Sequence, residues 1–457
     1  MTSKNKLGLF DFTMIVVSLV IGMGIFRTPA NVAKEAPSSW VFFAVWLVGG
    51  LVALCGALTY AEIGSRLPVT GGYYKVFSYA YHPSIAFAIN CIILVSNAAS
   101  GAAVALVGSE YITSVIMPGV KDVNYIQTVH LGIALAAIII FYGVNMLGLR
   151  LSAKTQTILT IIKISLILLL IAPLFFAGGD NTASVTTISS VSPELKEYVK
   201  AFGLGLVAVC FTYGGYQQTI NFGAEVDKPA RNIPRGIFMG LFIIIALYLT
   251  INYAYVHVIG FENLKAESQK QAPNIAAIMA SKIFGVNAER ILSAFLFLSV
   301  LAYINVLLLS NPRVMYAMSE DNILPAAFQK RNKRGALPLA LTVFSVMAAL
   351  IVFWAKDFGT LLSFSIFLDS IGMVLSAGSI FVIRKRTAHL DGTGIYSMKL
   401  FPLLPIIFMS AYSFVTISLL VNETKISLIG MGVLVAFIAI YFIVKRGKND
   451  SLGAPST

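Results

Sequence analysis

The chain has 457 residues, of which 58% are hydrophobic and 12% charged. A soluble globular protein carries about 25% charged residues, and many stretches here reach the roughly 20 apolar residues that a helix needs to cross a bilayer. The composition therefore predicts a polytopic all-α membrane protein and excludes a soluble fold. It also excludes a β-barrel, whose strands alternate in polarity over about ten residues.

The net charge of +13 has two readings. In a soluble protein it would suggest a nucleic-acid partner, but basic residues of a membrane protein collect in its cytoplasmic loops. We therefore expect a lipid bilayer and no nucleic acid. Cys55, Cys91 and Cys210 all lie in apolar stretches, so we expect no structural disulfide, no metal site and no cofactor. The N-terminus has no small-residue cleavage site, which predicts a retained first span.

Apolar windows predict twelve transmembrane helices. They cover 10–33, 40–65, 80–116, 126–147, 152–177, 196–223, 237–259, 288–318, 337–355, 358–383, 400–421 and 426–446.

Most lysines and arginines fall in the segments that are cytoplasmic if the N-terminus is inside. This bias predicts a protein of the cytoplasmic membrane with both termini cytoplasmic. The predicted units are a cytoplasmic N-terminal segment, two five-helix repeats, a pair of further helices and a cytoplasmic tail. Their bounds are 1–9, 10–177, 196–383, 400–446 and 447–457.

Spans 1 and 6 each contain a glycine motif in mid-run. Span 1 has Gly22-Met23-Gly24, and span 6 has Gly214-Gly215 between two tyrosines. Glycine costs about 1 kcal/mol in a helix interior relative to alanine, although small residues also permit close helix packing. Two such motifs five spans apart favour a repeat of five spans, inverted because that number is odd. Broken helices in inverted repeats indicate a transport site near the bilayer midplane.

Five segments in this order resemble the amino acid–polyamine–organocation superfamily, and most closely its L-type amino acid transporter family with the bacterial relatives. The segments are IGMGIF (21–26), AEIGSRLPVTGGYYKVF (61–77), QTILTIIK (156–163), FTYGGYQQTINFGAEVDKPARNIPRG (211–236) and NPRVMYAMSEDNILP (311–325). The resemblance implies a LeuT-type 5+5 inverted repeat followed by two terminal helices. It also implies transport of amino acids.

Unwound backbone exposes N–H groups and carbonyls, which lipid tolerates only beside a cavity or ligand. Such a break suits a zwitterion, because helix N-termini favour anions and C-terminal ends favour cations. The resemblance implies that the substrate carboxylate binds the amides of Met23 and Gly24, where Met23 replaces the family's usual serine. It implies that the ammonium binds the carbonyls of Val20, Cys210 and Tyr213.

Other residues near the span-6 break are candidates for the same site. Gly214, Gly215 and Tyr216 belong to the break itself. We expect the aromatic residues there to keep the binding volume modest. Asn97 in span 3 is able to bind either the substrate or another helix.

Lys163 stands deep in span 5, where an ionisable group is a functional candidate. Lys154, nine residues earlier, is predicted to lie on the opposite side of the helix and reach the interface. In the L-type family a span-5 lysine is taken to replace the sodium ion of related carriers, and Lys163 matches it. The resemblance therefore implies sodium-independent transport.

Further charged residues are candidates for gates. We hypothesise that Arg27 and Asp369 face each other across an outer gate, the alternative being that each is solvated separately. Glu62, Glu225 and Arg231 flank cytoplasmic loops and are expected to shape an inner gate through hydrogen bonds and ion pairs.

These features predict a secondary active transporter and not an enzyme. The expected substrates are small to medium neutral L-amino acids, and the expected mechanism is alternating access with sodium-independent exchange. The alternatives are a cationic amino acid or polyamine transporter and a proton-coupled symporter. A channel would need a continuous polar pore, and the sequence has no motif supplying a nucleophile or catalytic metal.

Animal L-type transporters join a heavy subunit through a cysteine between spans 3 and 4. That loop, MPGVKDVNY (117–125), has none, so no disulfide-linked partner is expected.

Overall fold

The computed structural model describes residues 6–22, 24–120, 122–175, 195–267, 275–354 and 358–452. Within these ranges the chain is helical, and its only extended pairings are isolated bridges from Leu7 to Val226 and from Thr70 to Phe222. The predicted all-α class is confirmed. Met23, one of the predicted carboxylate-binding residues, lies outside the described residues.

The described residues form sixteen α-helices, joined by loops and short 3₁₀ turns. They are α1 (Leu9–Val20), α2 (Gly24–Glu35), α3 (Ser39–Arg66), α4 (Gly72–Ala80), α5 (Pro83–Ile116), α6 (Val123–Met146), α7 (Leu149–Ile171), α8 (Leu195–Tyr213), α9 (Pro229–Ile259), α10 (Phe261–Glu267), α11 (Ile275–Phe284), α12 (Val286–Glu320), α13 (Pro338–Trp354), α14 (Phe358–Arg386), α15 (Leu403–Asn422) and α16 (Thr424–Leu452).

Ten helical segments in the described residues are long and apolar enough to cross a membrane, counting α1 with α2 as one. The protein is therefore an integral membrane protein. Predicted span 6 is interrupted, because α8 ends at Tyr213 and 3₁₀ turns follow over Tyr216–Asn221 and Gly223–Glu225. Predicted span 9 corresponds to a shorter apolar helix, Pro338–Phe353. The total of twelve stays a prediction.

One region predicted as a loop is helical. The segment before span 3 forms α4, which begins after Gly71 in the left-handed conformation (φ 65°). A side chain at Gly71 would collide with the carbonyl oxygen of Arg313, so glycine permits both the turn and the close packing on α12. Pro83 at the first turn of α5 separates the two helices.

The helices pack in reciprocal pairs. Helix α1 packs on α9 while α8 packs on α3, and α7 packs on α12 while α14 packs on α5. Helices α3 and α9 contact each other, as do α5 and α12. This equivalence agrees with the predicted five-helix repeats, whose boundaries stay a prediction. Helix α15, beyond the second predicted repeat, lies against α3, α8 and α14.

Both predicted helix breaks are present, and they touch each other. Helix α1 ends at Val20 because Ile21 leaves the helical conformation (ψ 90°), and α2 begins at Gly24. In span 6 the interruption falls at Gly215, whose φ of 111° is outside the range that L side chains readily adopt. A Cβ at Gly215 would collide with the carbonyl oxygen of Leu19 on α1. The second break therefore needs glycine for conformation and for contact with the first.

We predict that Gly215→Ala destabilises the protein by more than the roughly 1–3 kcal/mol that backbone strain alone costs, because strain and collision with Leu19 add. The measurement is thermal unfolding of the purified protein in detergent. Gly432→Ala on α16 is the matched control, since a Cβ there meets open space. Equal unfolding temperatures for the two variants would contradict this account of the break.

Candidate functional site

A cavity of about 360 Å³ lies between the two helix breaks. Its walls come from both breaks and from α5, α12, α14 and α15. The lining residues are Leu19, Val20, Gly22, Gly24, Arg27, Thr28, Asn31, Asn97, Ala99, Ser100, Ala103, Val104, Cys210, Phe211, Thr212, Gly214, Gly215, Gln217, Gln218, Tyr303, Leu307, Ser365, Ile366, Asp369, Ser370, Met373, Tyr412 and Val415. Ligand sites commonly occupy about 300–1,000 Å³, so the volume suits a small molecule.

Helical periodicity explains which side chains face the cavity. On α14 the lining positions include Ser365, Asp369 and Met373, which lie four residues apart and share one face. At the breaks the backbone itself faces the cavity, because glycines line it at Gly22, Gly24 and Gly214. The site therefore combines main-chain groups on one side with side chains of α5, α12 and α14 on others.

Tyrosine hydroxyls bind two of the carbonyls predicted to hold an ammonium group. Tyr248 on α9 donates to the carbonyl oxygen of Val20 at 3.2 Å, and Tyr412 on α15 donates to that of Cys210 at 3.3 Å. A carbonyl oxygen has two lone pairs. The Val20 oxygen also accepts from the Gly22 N–H at 2.8 Å, so both of its lone pairs are used, whereas Tyr412 takes one position at the Cys210 oxygen. Sequence reasoning missed both tyrosines, since neither lies in a motif.

Two predicted aromatic residues do not line the cavity. The Tyr213 ring packs behind the break against Trp46 and Tyr248, with ring centroids 6.0 and 5.1 Å away. Tyr216 packs against Tyr60 at 5.9 Å. Tyr213 lies two residues, or about 200° around α8, from Phe211, which does line the cavity. That the aromatic residues at the break limit the binding volume stays a prediction.

The Lys163 side chain holds the first break. It is fully buried, and its Nζ donates to the carbonyl oxygen of Ile21 at 2.5 Å and to Ser18 Oγ at 3.5 Å. Ile21 is the residue at which α1 ends, so this carbonyl has no partner within a helix. Lys154 is exposed, as predicted for the opposite side of α7.

A chain of buried amides extends from the Lys163 site. Gln156 donates to Ser18 Oγ and, at 3.1 Å, to the carbonyl oxygen of Ala302. Asn305 donates to Gln156 Oε1 at 2.7 Å, and Asn145 donates to Asn305 Oδ1 at 2.8 Å. These bonds join α1, α6, α7 and α12 where water is scarce. No motif in the sequence indicates that these three amides meet, because they lie on three different helices.

Asn97 forms the interhelical bonds that were one of its two predicted roles. Its Nδ2 donates to Asn311 Oδ1 at 2.7 Å, and its Oδ1 accepts from Gln218 Nε2 at 3.1 Å. Both Asn97 and Gln218 also line the cavity. A substrate contact at Asn97 stays a prediction.

The two outer-gate candidates, Arg27 and Asp369, each contact a residue of α5. Arg27 forms an ion pair with Glu110 on α5 at 3.3 Å. Asp369 accepts a hydrogen bond from Ser96 Oγ at 3.5 Å. The structure thus shows an Arg27–Glu110 pair between α2 and α5, and a direct Arg27–Asp369 pair stays a prediction.

Glu62 is the centre of a buried ionic cluster at the C-terminal ends of α3 and α14. Its carboxylate accepts from Arg66 at 2.7 Å and from two nitrogens of Arg384, each at 2.7 Å. The backbone N–H of Met398 donates to it at 2.8 Å, and Arg66 also pairs with Asp391 at 2.7 Å. The predicted ion pairing of Glu62 is confirmed.

A second cluster surrounds Glu225 at the same end of the bundle. Arg313 on α12 pairs with it at 2.7 Å, and Arg331 lies 3.7 Å away. The backbone N–H of Leu7, just before α1, donates to the carbonyl oxygen of Glu225 at 2.8 Å. Arg231 is exposed at the start of α9 and belongs to neither cluster. The predicted ion pair of Glu225 is thus present, whereas Arg231 is placed in solvent.

Comparison with known proteins gives a family and full-length relatives. The family model described as "Amino acid permease" matches residues 7–441. The chain is 27% identical over 450 residues to the "Serine/threonine exchanger SteT" of Bacillus subtilis (strain 168), covering 97% of this chain and 98% of the relative. It is 25% identical over 449 residues to the human "Large neutral amino acids transporter small subunit 2", covering 96% of this chain and 80% of the relative.

A third relative is the human "b(0,+)-type amino acid transporter 1", 25% identical over 390 residues, or 85% of this chain and 78% of the relative. These relatives are exchangers and transporters rather than enzymes. With a family match over nearly the whole chain and a cavity between two broken helices, the chain belongs to the amino acid permease family, within the amino acid–polyamine–organocation superfamily, and is an amino acid transporter.

Proposed function

We propose that the protein is a secondary active transporter that exchanges small to medium neutral L-amino acids by alternating access, without sodium. The observation that carries this proposal is the meeting of two helix breaks at one cavity of about 360 Å³. A neutral amino acid has an ammonium and a carboxylate on one carbon. The two breaks offer carbonyls and amides within one site.

The carboxylate binds at the start of α2, where the N–H groups of the first turn lack helical partners. Gly24 opens this turn and lines the cavity, and Met23 precedes it. The helix dipole of α2 adds favourable potential for an anion. The ammonium binds the carbonyls of Val20, Cys210 and Tyr213, the first two being oriented by tyrosine hydroxyls.

Sodium independence rests on Lys163. Its ammonium donates hydrogen bonds to the Ile21 carbonyl oxygen and to Ser18 Oγ. Ser18 lies on α1, and Ile21 is the residue at which that helix breaks. A tethered positive charge supplies at this point the electrostatic effect of a bound cation. We therefore propose that Lys163 replaces a sodium ion.

Alternating access requires that one end of the cavity be closed while the other opens. The Glu62 and Glu225 clusters close the end of the bundle at which the N-terminus lies, since Leu7 bonds to Glu225. The cavity extends in the other direction along α2 to Arg27 and Asn31. With both termini cytoplasmic, as the charge bias favours, this conformation is closed towards the cytoplasm.

Two alternatives keep specific support. Asp369 lines the cavity, so it would serve as counter-charge for a cationic amino acid or polyamine, or as a proton acceptor in symport. We favour neutral substrates because the relatives include a "Serine/threonine exchanger" and a "Large neutral amino acids transporter small subunit 2". We also propose that the protein works without a disulfide-linked partner, because the α5–α6 loop has no cysteine.

The proposed function is tested by counterflow in liposomes containing the purified protein. Vesicles loaded with unlabelled L-alanine should accumulate labelled L-alanine transiently, and external L-serine should compete while L-arginine should not. Arginine competition without serine competition would favour the cationic alternative. Uptake that follows an imposed pH gradient without internal amino acid would favour symport, and linear, non-competable flux a channel.

We predict that replacing sodium with choline at fixed pH leaves alanine exchange unchanged, whereas Lys163→Ala lowers it about tenfold or more. A hydrogen bond to a charged group contributes about 1.5–3 kcal/mol, and the variant leaves the Ile21 carbonyl without that donor. Lys154→Ala is the matched control, because Lys154 is exposed on the same helix. Steep sodium dependence of the unmodified protein would overturn the tethered-cation proposal.

We predict that Gly24→Ala raises the KM for alanine more than Gly22→Ala does. A Cβ at Gly24 would lie 2.8 Å from Thr212 Oγ1 and Cγ2, whereas one at Gly22 makes ordinary contact with Tyr303 at 3.7 Å. Overpacking of this kind costs about 1–3 kcal/mol, and it would push the start of α2 off the second break. Thr212→Ala added to Gly24→Ala should restore part of the loss; no restoration would contradict the steric explanation.

A further inference from the structure

We infer that the α14 wall of the cavity contains a polar subsite, formed by Ser365 and Asp369, that binds a hydroxyl group on the side chain of the transported amino acid. This inference rests on the proposed function, because it assumes that the main-chain groups of the breaks hold the α-carboxylate and α-ammonium. It adds a preference for hydroxyl-bearing substrates over apolar ones of the same size.

Ser365 and Asp369 lie one helical turn apart on the same face of α14, and both line the cavity. The Ser365 side chain is only 2% exposed, yet its Oγ has no hydrogen-bond partner. Buried hydroxyls are nearly always partnered in native proteins. A ligand atom in the cavity would supply the partner that Ser365 lacks.

Asp369 has unused acceptor capacity. Ser96 Oγ donates to it at 3.5 Å, beyond the 2.5–3.0 Å that is usual for an O–H···O bond. An ionised carboxylate has about four acceptor positions, and an acidic group within a membrane span is costly unless it is partnered. The cavity side of Asp369 therefore favours a hydrogen-bond donor brought by the substrate.

A hydroxyl fits this subsite better than an ammonium or guanidinium. It donates to the Asp369 carboxylate and accepts from the Ser365 hydroxyl, so one small group satisfies both side chains. A cationic side chain offers only donors, which leaves the Ser365 proton without an acceptor. It would also share the cavity with Arg27.

The walls next to the subsite are apolar. Ile366 and Met373 flank it on α14, and Leu307 of α12 lines the same cavity. These apolar groups suit contact with the methyl group of a short branched side chain. The expected substrates are therefore serine and threonine, ahead of alanine and valine.

The experiment compares kcat/KM for exchange of labelled L-serine and L-alanine in liposomes carrying the full-length protein. We expect the unmodified protein to prefer serine by about tenfold or more, because a hydrogen bond to a charged group contributes about 1.5–3 kcal/mol. Asp369→Asn should reduce this preference, and Asp369→Val should abolish it, because each lowers kcat/KM for serine more than for alanine. Ser365→Ala should lower the preference without altering charge.

Ser379→Ala is the matched control, since Ser379 is buried on α14 outside the cavity and bonds to the Ser376 carbonyl at 2.5 Å; it should keep the full preference. Equal use of serine and alanine by the unmodified protein, or an unchanged preference in the Asp369 and Ser365 variants, would overturn the subsite and leave the neutral exchanger intact. Competition by L-arginine that disappears in Asp369→Asn would overturn it in favour of a cationic side chain. Absence of any alanine exchange by the unmodified protein would instead refute the proposed function itself.

Discussion

The structure depends on one constraint: backbone polar groups inside a membrane must find partners within the protein or its ligand. Two helices of this chain break at the depth where water is scarce, at Ile21 and at Gly215. Each break frees carbonyls and N–H groups, and an unpartnered group in lipid costs several kcal/mol. Side chains of the surrounding helices bind several of these carbonyls, and both breaks line a cavity.

Three side chains from different helices meet this constraint. Lys163 binds the carbonyl at the end of α1, Tyr248 binds the preceding one, and Tyr412 binds the Cys210 carbonyl in α8. Each holds a carbonyl in place at or beside a break. The bonds that stabilise the broken helices thus also orient carbonyls of the proposed ammonium site.

The ion pairs at the two ends of the cavity differ in how deeply they are buried. At the end near the N-terminus, Glu62 is fully buried and bonded to two arginines and a backbone N–H. At the other end, Arg27 meets Glu110, whose side chain is 45% exposed. An exposed ion pair contributes about 0–1 kcal/mol, whereas breaking a buried one by removing a partner costs about 3–5 kcal/mol. The ionic contacts at the end near the N-terminus are therefore the ones that cost more to break.

The sequence by itself determined the features that depend on local composition and spacing. Apolar runs specify the all-α membrane class, glycine motifs specify both helix breaks, and the depth of Lys163 within its run specifies a buried lysine, because each of these patterns is read within one helix. The tertiary structure alone decided which partners meet across helices. Tyr248 and Tyr412 reach the breaks, Tyr213 packs against Trp46 and Tyr248, and Arg27 pairs with Glu110. Such pairings join residues that are distant in the chain. Which residues pair depends on how the helices are rotated and which of them are neighbours, and no local sequence pattern encodes that.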